Sequence, residues 1–422
     1  MTSSPAARRV PPALRALTHR NYRLLFIGQL ISVCGVWMQA TAQGWLVLRL
    51  SDSTFWLGMI AAAQSLPVLL LTLGAGTVAD RVPKRELLLL TQVTAMASAL
   101  VLALLTATGA VQVWQVLILA LLSGTASAFE QPARQAFTIE LVGREDLLGA
   151  IALDSMMFNG ARIVGPAIAG VVAAAIGEAP TFLFNGLSFL ATIGSLLAMR
   201  LVPRAAAPPR QAGQFREGMA YVWQTPEVRL LLGQLAIFSV FCMAYIPLLP
   251  SFARDVLQGD ARVFGLLASV NAAGALVAAT MISVWADRMP RRTVRTIALV
   301  SYSLLLAGFA LMREVLPAAV LLAAVGWAGV TTLTLTNTLL QMVVPDALRG
   351  RVMSVFVMLV MGVSQLSGLA VGAIAEAFDD VAHTVVVWTM LGWALQVVLA
   401  WLQWRGDRRA DEAGRAQGAG QR

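Results

Sequence analysis

Long apolar stretches alternate with short polar segments along the whole 422-residue chain. A helix needs about 20 predominantly apolar residues to cross the hydrocarbon core of a bilayer. Twelve stretches are long enough, six in each half of the chain. They predict spans near residues 24–48, 55–79, 87–108, 112–131, 148–176, 181–201, 228–252, 263–286, 294–312, 315–343, 353–377 and 383–404. We therefore expect an all-α integral membrane protein with twelve transmembrane helices.

One charged loop occurs twice at matching places in the two halves. Residues 79–85 read Ala-Asp-Arg-Val-Pro-Lys-Arg, and residues 286–292, which lie 207 positions later, read Ala-Asp-Arg-Met-Pro-Arg-Arg. Gly58 in the second predicted span matches Gly265 in the eighth at the same offset. A repeat this long is a duplicated multi-helix unit, since solenoid modules repeat every 20–50 residues or so. Membrane proteins built from two such halves are mostly transporters.

The composition between and after the spans predicts the domain boundaries. We expect an N-terminal six-helix bundle over residues 1–201 and a C-terminal bundle over 226–404. The linker 202–225 begins with a Pro- and Ala-rich stretch and then contains a short amphipathic segment suited to the membrane surface. The tail 405–422 is charged and Gly-rich, which predicts a disordered cytoplasmic segment.

Charge is scarce and unevenly distributed. Charged residues make up 13% of the chain, against about 25% in soluble domains. The net charge of +9 comes from short loops, so it indicates no nucleic-acid partner. Of the 31 Lys and Arg residues, 26 lie on the side of the predicted bundle that carries both termini. By the positive-inside rule, this places both termini in the cytoplasm and the chain in the cell (inner) membrane.

Several chemistries are excluded by residue type. Lys84 is the only lysine and follows Pro83, so the chain has no Walker A motif for ATP hydrolysis. Two histidines in the whole sequence leave no metalloprotease motif, and Cys34 and Cys242 stand alone in apolar stretches. We expect no enzyme activity, no catalytic residue, no metal site and no cofactor.

The repeated loop resembles the loop between helices 2 and 3 of the major facilitator superfamily, although Pro83 replaces the second glycine of that pattern. The resemblance implies a cytoplasmic latch that forms and breaks as the two halves rock. Alternatively, its two aspartates cap helices and its basic residues fix the topology. The candidate latch residues are Gly76, Asp80, Arg81, Lys84 and Arg85 in the first copy and Asp287, Arg288, Arg291 and Arg292 in the second.

Other segments are similar to a prokaryotic branch of the superfamily that contains the enterobactin exporter and macrolide-efflux proteins. These segments are Asn21-Tyr22-Arg23, Glu130-Gln131-Pro132-Ala133-Arg134, and Pro345-Asp346-Ala347-Leu348-Arg349-Gly350-Arg351. The fifth span carries Arg162, Gly165, Pro166 and Gly170, which resemble the Gly-Pro-rich helix-5 pattern of exporters. The resemblance implies a secondary active exporter of a hydrophobic, siderophore-like or drug-like molecule, working by proton antiport and alternating access. A proton-coupled importer of a small solute is the alternative, and a non-transporting receptor is a third possibility.

Arg162 lies near the middle of the fifth predicted span, where an unpaired charge is costly. Glu130 and Asp154 are its candidate partners. The pair with Glu130 would be either a structural ion pair or part of substrate or proton handling, with Glu130 as the first candidate proton carrier. The helix-4 arginine of many drug–proton antiporters is missing, because residues 117–124 contain no arginine.

The resemblance also implies a central cavity lined by helices 1, 4, 7 and 10. The candidate lining residues are Gln39, Gln43, Gln234, Tyr245, Thr334 and Asn337. Uncharged hydrogen-bonding groups beside aromatic walls suit a bulky, mostly apolar substrate, whereas the alternative is hydrogen bonding between helices. The expected partners are a small-molecule substrate, protons and membrane lipids, and we expect a monomer.

The orientation is testable by cysteine labelling. In a background without Cys34 and Cys242, cysteines at Gln211 in the linker and at Gly259 between the seventh and eighth spans should react from opposite sides. A membrane-impermeant maleimide applied to intact cells should label position 259 alone. Labelling of both positions from one side would contradict the topology.

Overall fold

The structure, a computed structural model, describes residues 12–200, 214–285 and 288–399. Twelve helices in this part are long and apolar enough to cross a membrane, so the predicted all-α fold is confirmed. We number them α1 Arg20–Ser51, α2 Thr54–Arg81, α3 Lys84–Ala107, α4 Val113–Val142, α5 Leu147–Ile176, α6 Ala179–Ala198, α7 Pro226–Val256, α8 Ala261–Trp285, α9 Arg291–Leu311, α10 Val315–Val343, α11 Leu348–Phe378 and α12 Val381–Leu399.

Two shorter helices lie outside the spans. A 3₁₀ helix, Pro12–Thr18, precedes α1, and Gln214–Gln224 precedes α7 at the position of the predicted amphipathic segment. The first part of the linker, residues 202–213, and the predicted tail lie outside the described residues.

The bundle has two faces, which we define by the chain ends. The terminal face carries the start of α1 and the end of α12. The distal face, on the opposite side, carries the connections after α1, α3, α5, α7, α9 and α11. Contacts between sequence-distant loops agree with this division. Asn21 donates a hydrogen bond to the Arg200 carbonyl (2.8 Å) at the terminal face, and Arg49 binds Glu178 (3.0 Å) at the distal face.

Helix α4 is longer than the sequence predicts. The predicted span ended at residue 131, but the helix continues through Pro132 to Val142. A proline removes one helical hydrogen bond and bends the helix, yet packing beyond it can keep the chain helical. Here Ala133 and Phe137 are buried in a cluster with apolar residues of α1, α3 and α6. Consequently Arg134, expected in a loop, lies on α4.

Helices α7 and α11 are irregular within the membrane. In α7, π-helical segments at Phe238–Cys242 and Phe252–Val256 flank a 3₁₀ turn at Ile246–Leu248. Pro247 contributes no N–H there, which explains a local break in the hydrogen-bond ladder. Irregular backbone at this depth is tolerated where protein surrounds it. Tyr245, just before this turn, is buried.

The sequence repeat appears as a repeated helix crossing. Gly124 of α4 packs against the backbone carbonyl of Gln64 in α2, and Gly326 of α10 packs against the carbonyl of Asn271 in α8. In both places an added Cβ would collide with the carbonyl oxygen. Asn271 follows Gln64 by the same 207 positions as the charged loops. The two halves therefore use one packing solution twice, because a residue without a side chain lets the backbones approach.

Two glycine crossings join the halves toward the distal face. At one, a Cβ added to Gly58 of α2 would lie 2.6 Å from the Cα of Leu369 in α11. At the other, Gly265 of α8 packs against Pro166 and Gly170 of α5. The repeated glycines Gly58 and Gly265 thus occupy equivalent places in these two crossings. Their spacing leaves no room for even one additional methyl group.

The second crossing generates a test of distal closure. In Gly170→Ala, the added Cβ would lie 2.5 Å from the Ala261 carbonyl oxygen, and such overpacking costs about 1–3 kcal/mol. We expect the distal ends of α5 and α8 to separate more often. A cysteine at Ser269, which is buried in this contact, should then react several-fold faster with an impermeant maleimide from the distal side.

Gly160→Ala on the same helix is the matched control, because no atom lies within 4 Å of its added Cβ. We expect it to react like the parent protein. Equal labelling rates in all three proteins would show that the crossing does not control access to this side.

Candidate functional site

A carboxylate of one half caps a helix of the other half at the distal face. Glu376 near the end of α11 accepts hydrogen bonds from the Ser53 hydroxyl and from the Phe55 N–H (2.9 Å), at the start of α2. Ser53 is the N-cap of α2 and also accepts a hydrogen bond from the Trp56 N–H. Negative charge at a helix N-terminus is favourable, so this contact stabilises the joined distal ends.

Arg254 of α7 makes a second polar contact between the halves. Its guanidinium binds the carboxylate of Asp52, the residue that ends α1, and that of neighbouring Asp255 (2.6 Å). The Asp52 side chain is 80% exposed, and exposed pairs contribute about 0–1 kcal/mol each. The charged contacts therefore supplement the glycine crossings and open easily when the helices separate.

A cavity of about 630 Å³ opens among these distal contacts. Five carboxylates and two guanidiniums line it, those of Asp52, Asp255, Glu376, Asp379, Asp380, Arg254 and Arg313. The backbone N–H of His383 donates to Asp380 (2.9 Å), and this bond lowers the pKa of Asp380 below its usual value. The cavity is a charged vestibule that lies away from the mid-helix positions expected to hold a substrate.

Arg162 lies in the contact between α5 and α8. Its Nη2 donates to Oδ1 of Asn271 at 3.5 Å, and Asn271 donates from Nδ2 to the Tyr245 hydroxyl (3.1 Å) and to the Leu322 carbonyl (3.2 Å). Both halves thus contribute to one polar cluster near the middle of the helices. Neither Glu130 nor Asp154, the partners expected from the sequence, forms an ion pair with Arg162 among the described contacts.

The two acids instead share the charge of Arg134. Glu130 has Gln92 and Arg134 as polar neighbours. Asp154 accepts a hydrogen bond from the Tyr22 hydroxyl (2.9 Å) and is also close enough to feel the Arg134 charge. Because α4 continues past Pro132, Arg134 lies one turn after Glu130 on the same face. Arg162 is eight residues beyond Asp154 on α5, or about 12 Å further along the helix axis.

The described latch residues bind within their own halves. Lys84 pairs with Glu140 (2.7 Å) and Arg85 donates to the Leu197 carbonyl (3.0 Å), both in the first half. In the second half Arg292 pairs with Glu227, and Arg291 contacts the sulfur of Met342 (3.1 Å). Arg81 and Arg288 are exposed. Asp287 and the side chain of Asp80 lie outside the described part of the structure, and so do the surroundings of Gly76.

The predicted cavity residues do not share one role. Tyr245 belongs to the Arg162 cluster, whereas Gln39 accepts a hydrogen bond from Asn185 of α6 (2.7 Å) and Gln234 accepts one from Arg295 of α9. Gln39 and Gln234 therefore join helices, which was the alternative role. The remaining members are buried Gln43, half-buried Thr334, and half-buried Asn337, which accepts a hydrogen bond from Gln341.

Arg295 is a buried charge near the start of α9, at the cytoplasmic-side end of the predicted span 294–312. It is 5% exposed and donates to Gln234 and to the Thr336 hydroxyl (3.5 Å). Gly-Gln-Leu occurs at residues 28–30 and again at 233–235, so Gln29 is the matching glutamine of the first half. It accepts a hydrogen bond from Arg134 (3.3 Å). Each half thus places one guanidinium on its repeated glutamine, although the arginine comes from α4 in one half and α9 in the other. The apolar stretch that follows Arg295 in the sequence is the pattern that indicates a helix at this position.

Comparison with known structures identifies the fold independently. A bacterial homologue of the human lysosomal transporter Spinster, in an inward-facing and occupied conformation, superposes with a TM-score of 0.70 at 14% identity, covering 91% of this chain and 95% of that chain. A bacterial homologue of the iron transporter ferroportin, in an inward-facing state, gives 0.67 at 14% identity, covering 90% of this chain and 98% of that chain.

Sequence relatives are similar over most of the chain. The staphyloferrin A transporter of Staphylococcus aureus is 26% identical over 85% of this chain and 90% of its own length. The multidrug efflux pump Tap of Mycolicibacterium fortuitum is 26% identical, over 84% and 89%. The enterobactin exporter of Citrobacter koseri is 24% identical, over 79% and 80%.

The pattern of the transmembrane secretion effector family matches residues 12–409, which include all twelve spans and the mid-helix polar cluster. The twelve-helix fold, the repeated halves and this match lead to one conclusion: the chain belongs to the transmembrane secretion effector family of the major facilitator superfamily.

Proposed function

We propose that this protein is a secondary active exporter of a siderophore-like or drug-like small molecule. The observation that carries the proposal is the polar cluster of Arg162, Asn271 and Tyr245, which lies mid-helix where the two pseudo-repeats meet. Substrate sites of transporters with repeated halves lie at this depth and junction. The similarity to two exporters and a siderophore transporter supports the direction and the class of substrate.

We further propose that the terminal face is cytoplasmic, with both termini inside and the bundle in the cell membrane as a monomer. The excess of basic residues on that face supports this orientation. The joined distal ends then correspond to a protein closed to the outside. Export would require the Glu376 and Arg254 contacts and both glycine crossings to separate while the terminal ends of the halves come together.

The repeated Asp-Arg loops are proposed to form the contact that closes the terminal ends. This role follows from the resemblance to the superfamily latch, and it fits the exposed side chains of Arg81 and Arg288. Each loop has a proline before its final pair of basic residues, so both loops enter the next helix in a similar way.

Proton antiport is proposed to act through the Arg134 cluster. Two carboxylates, Glu130 and Asp154, face one guanidinium, so the cluster carries a net charge of −1 when both are ionised. Binding of one proton would neutralise it and would weaken the attraction between the acids and Arg134. A change of charge beside α1, α4 and α5 is a physical means of coupling proton binding to movement of these helices.

The latch proposal predicts a transport defect in Asp80→Asn. Removing this charge should lower the export rate by about tenfold, equivalent to about 1.4 kcal/mol of barrier, with normal amounts of protein in the membrane. Glu86→Gln, an exposed acid at the start of α3, is the control and should export normally. Wild-type rates in both variants would leave only the helix-capping role for Asp80.

The proton proposal predicts that the double variant Glu130→Gln/Asp154→Asn loses pH-driven transport. In inverted membrane vesicles, an imposed pH gradient should drive accumulation of a siderophore or drug by the wild type and by Glu314→Gln, an exposed acid of the distal face. The double variant should show accumulation near background, because neither proton-binding group remains.

Unchanged accumulation in the double variant would exclude both acids as proton carriers. If collapsing the gradient leaves wild-type transport intact, proton antiport itself is wrong. Uptake into right-side-out vesicles in place of inverted ones would indicate an importer.

A further inference from the structure

We infer that Arg162 is the anchoring group for a substrate carboxylate, so that the transported molecule is an organic anion with an apolar or aromatic body. This inference rests on the proposed function and specifies the chemical class of its substrate. It starts from a mid-membrane cation that the protein leaves incompletely paired.

A guanidinium at the middle of a transmembrane helix is costly without a counter-charge or water. Among the described residues Arg162 forms no ion pair, and its hydrogen bond is the 3.5 Å contact with Asn271, at the outer limit for such a bond. Glu130 and Asp154, the candidates from the sequence, interact with Arg134, and Asp154 lies about 12 Å from Arg162 along α5. The described part of the chain therefore places a positive charge at the junction of the halves and pairs no acid with it.

The remaining donors of Arg162 are accessible. Its Nε and Nη1 make no hydrogen bond to a described residue, and neither is among the buried polar atoms that lack a partner. Each of these nitrogens therefore keeps some accessible surface, and Arg162 as a whole is half-buried. A guanidinium has a planar fork of donors that matches the two oxygens of a carboxylate. A bound carboxylate would supply both the missing charge and the missing acceptors.

The surroundings are arranged to receive such a group. Asn271 is held by its bonds to Tyr245 and Leu322, so its Oδ1 stays directed at Arg162. One turn from Arg162 on the same face of α5, Phe158 is 45% exposed and packs edge-to-face against Trp37, with ring centroids 5.4 Å apart. A charged fork beside accessible aromatic rings suits a ligand with an anionic end and an apolar body.

A purely structural role for Arg162, holding α5 against α8, explains less. Two stronger contacts already join these helices beside it. The Ser269 hydroxyl donates to the Ile163 carbonyl at 2.7 Å, and Gly265 packs directly against Gly170. The long hydrogen bond from Arg162 to the neutral amide of Asn271 adds little to these two contacts. An arginine used only for packing would therefore place an uncompensated charge in the membrane for little gain.

The test compares two probes of nearly the same shape, one an anion and the other neutral. Full-length protein in lipid nanodiscs is equilibrated with radiolabelled 2-naphthoate or with its neutral analogue 2-naphthamide, and binding is measured by equilibrium dialysis. The wild type should bind the carboxylate at least about tenfold more tightly, as expected for one charge-assisted contact. Arg162→Gln should abolish this preference with little change in amide binding. Arg162→Lys should retain part of it, because a lysine keeps the charge but lacks the fork.

Arg23→Gln is the matched control, since Arg23 is an exposed cation at the terminal end of α1, and it should keep the wild-type preference. The wild-type comparison needs no variant, so it remains decisive if Arg162→Gln folds poorly. Equal affinity for the two probes, no binding of naphthoate, or an unchanged preference in a folded Arg162→Gln would each overturn the inference.

Export assays separate this inference from the proposed function. Wild-type vesicles that export neutral drugs but show no preference for anions would refute the anion site alone. Vesicles that export nothing would refute the proposed function, while a carboxylate preference lost in Arg162→Gln would still establish the site.

Discussion

Close approach of helices at glycine determines how the two halves of this protein meet. Gly58 and Gly265, equivalent residues of the repeat, each bring a helix of one half against the backbone of the other half, with no space for a Cβ. Helices in lipid gain no hydrophobic driving force from association, so this packing contributes much of the contact energy. The polar groups at the distal face, Glu376 on the start of α2 and Arg254 on Asp52, can form only because the crossings hold their helices together.

The energetic character of the distal contacts suits a joint that opens. Exposed ion pairs contribute about 0–1 kcal/mol each, and a glycine crossing has no interlocking side chains to rearrange as it separates. Within each half the packing is different. The first half buries Ala133 and Phe137 of α4 in a cluster with helices α1, α3 and α6, and such a cluster moves as a unit.

Charges inside the bundle follow the same division. Arg134 and Arg295 bind the repeated residues Gln29 and Gln234 within their halves, where they hold neighbouring helices together. Of these three arginines, Arg162 is the one that reaches across the junction, through a single long hydrogen bond. The cost of burying charge in a low-dielectric region is met by local partners in the first two cases. At the junction, the proposed carboxylate of a bound substrate would offset this cost for Arg162.

The hydrophobic pattern alone determined twelve spans, the repeat and the expected latch loops, because membrane thickness fixes the length of a helix and a duplicated sequence needs no structure to be seen. The equivalence of Gly58 and Gly265 was also visible, though their shared role in joining the halves was not. Partners of the buried charges depended on tertiary structure. The predicted span ended at residue 131, so Arg134 was expected in a loop, and Glu130 and Asp154 were the candidate partners of Arg162. Packing around Phe137 carries the helix past the proline and brings Arg134 beside both acids. Which helix faces which across the bundle is set by contacts between residues distant in sequence, and a linear pattern holds no information about them.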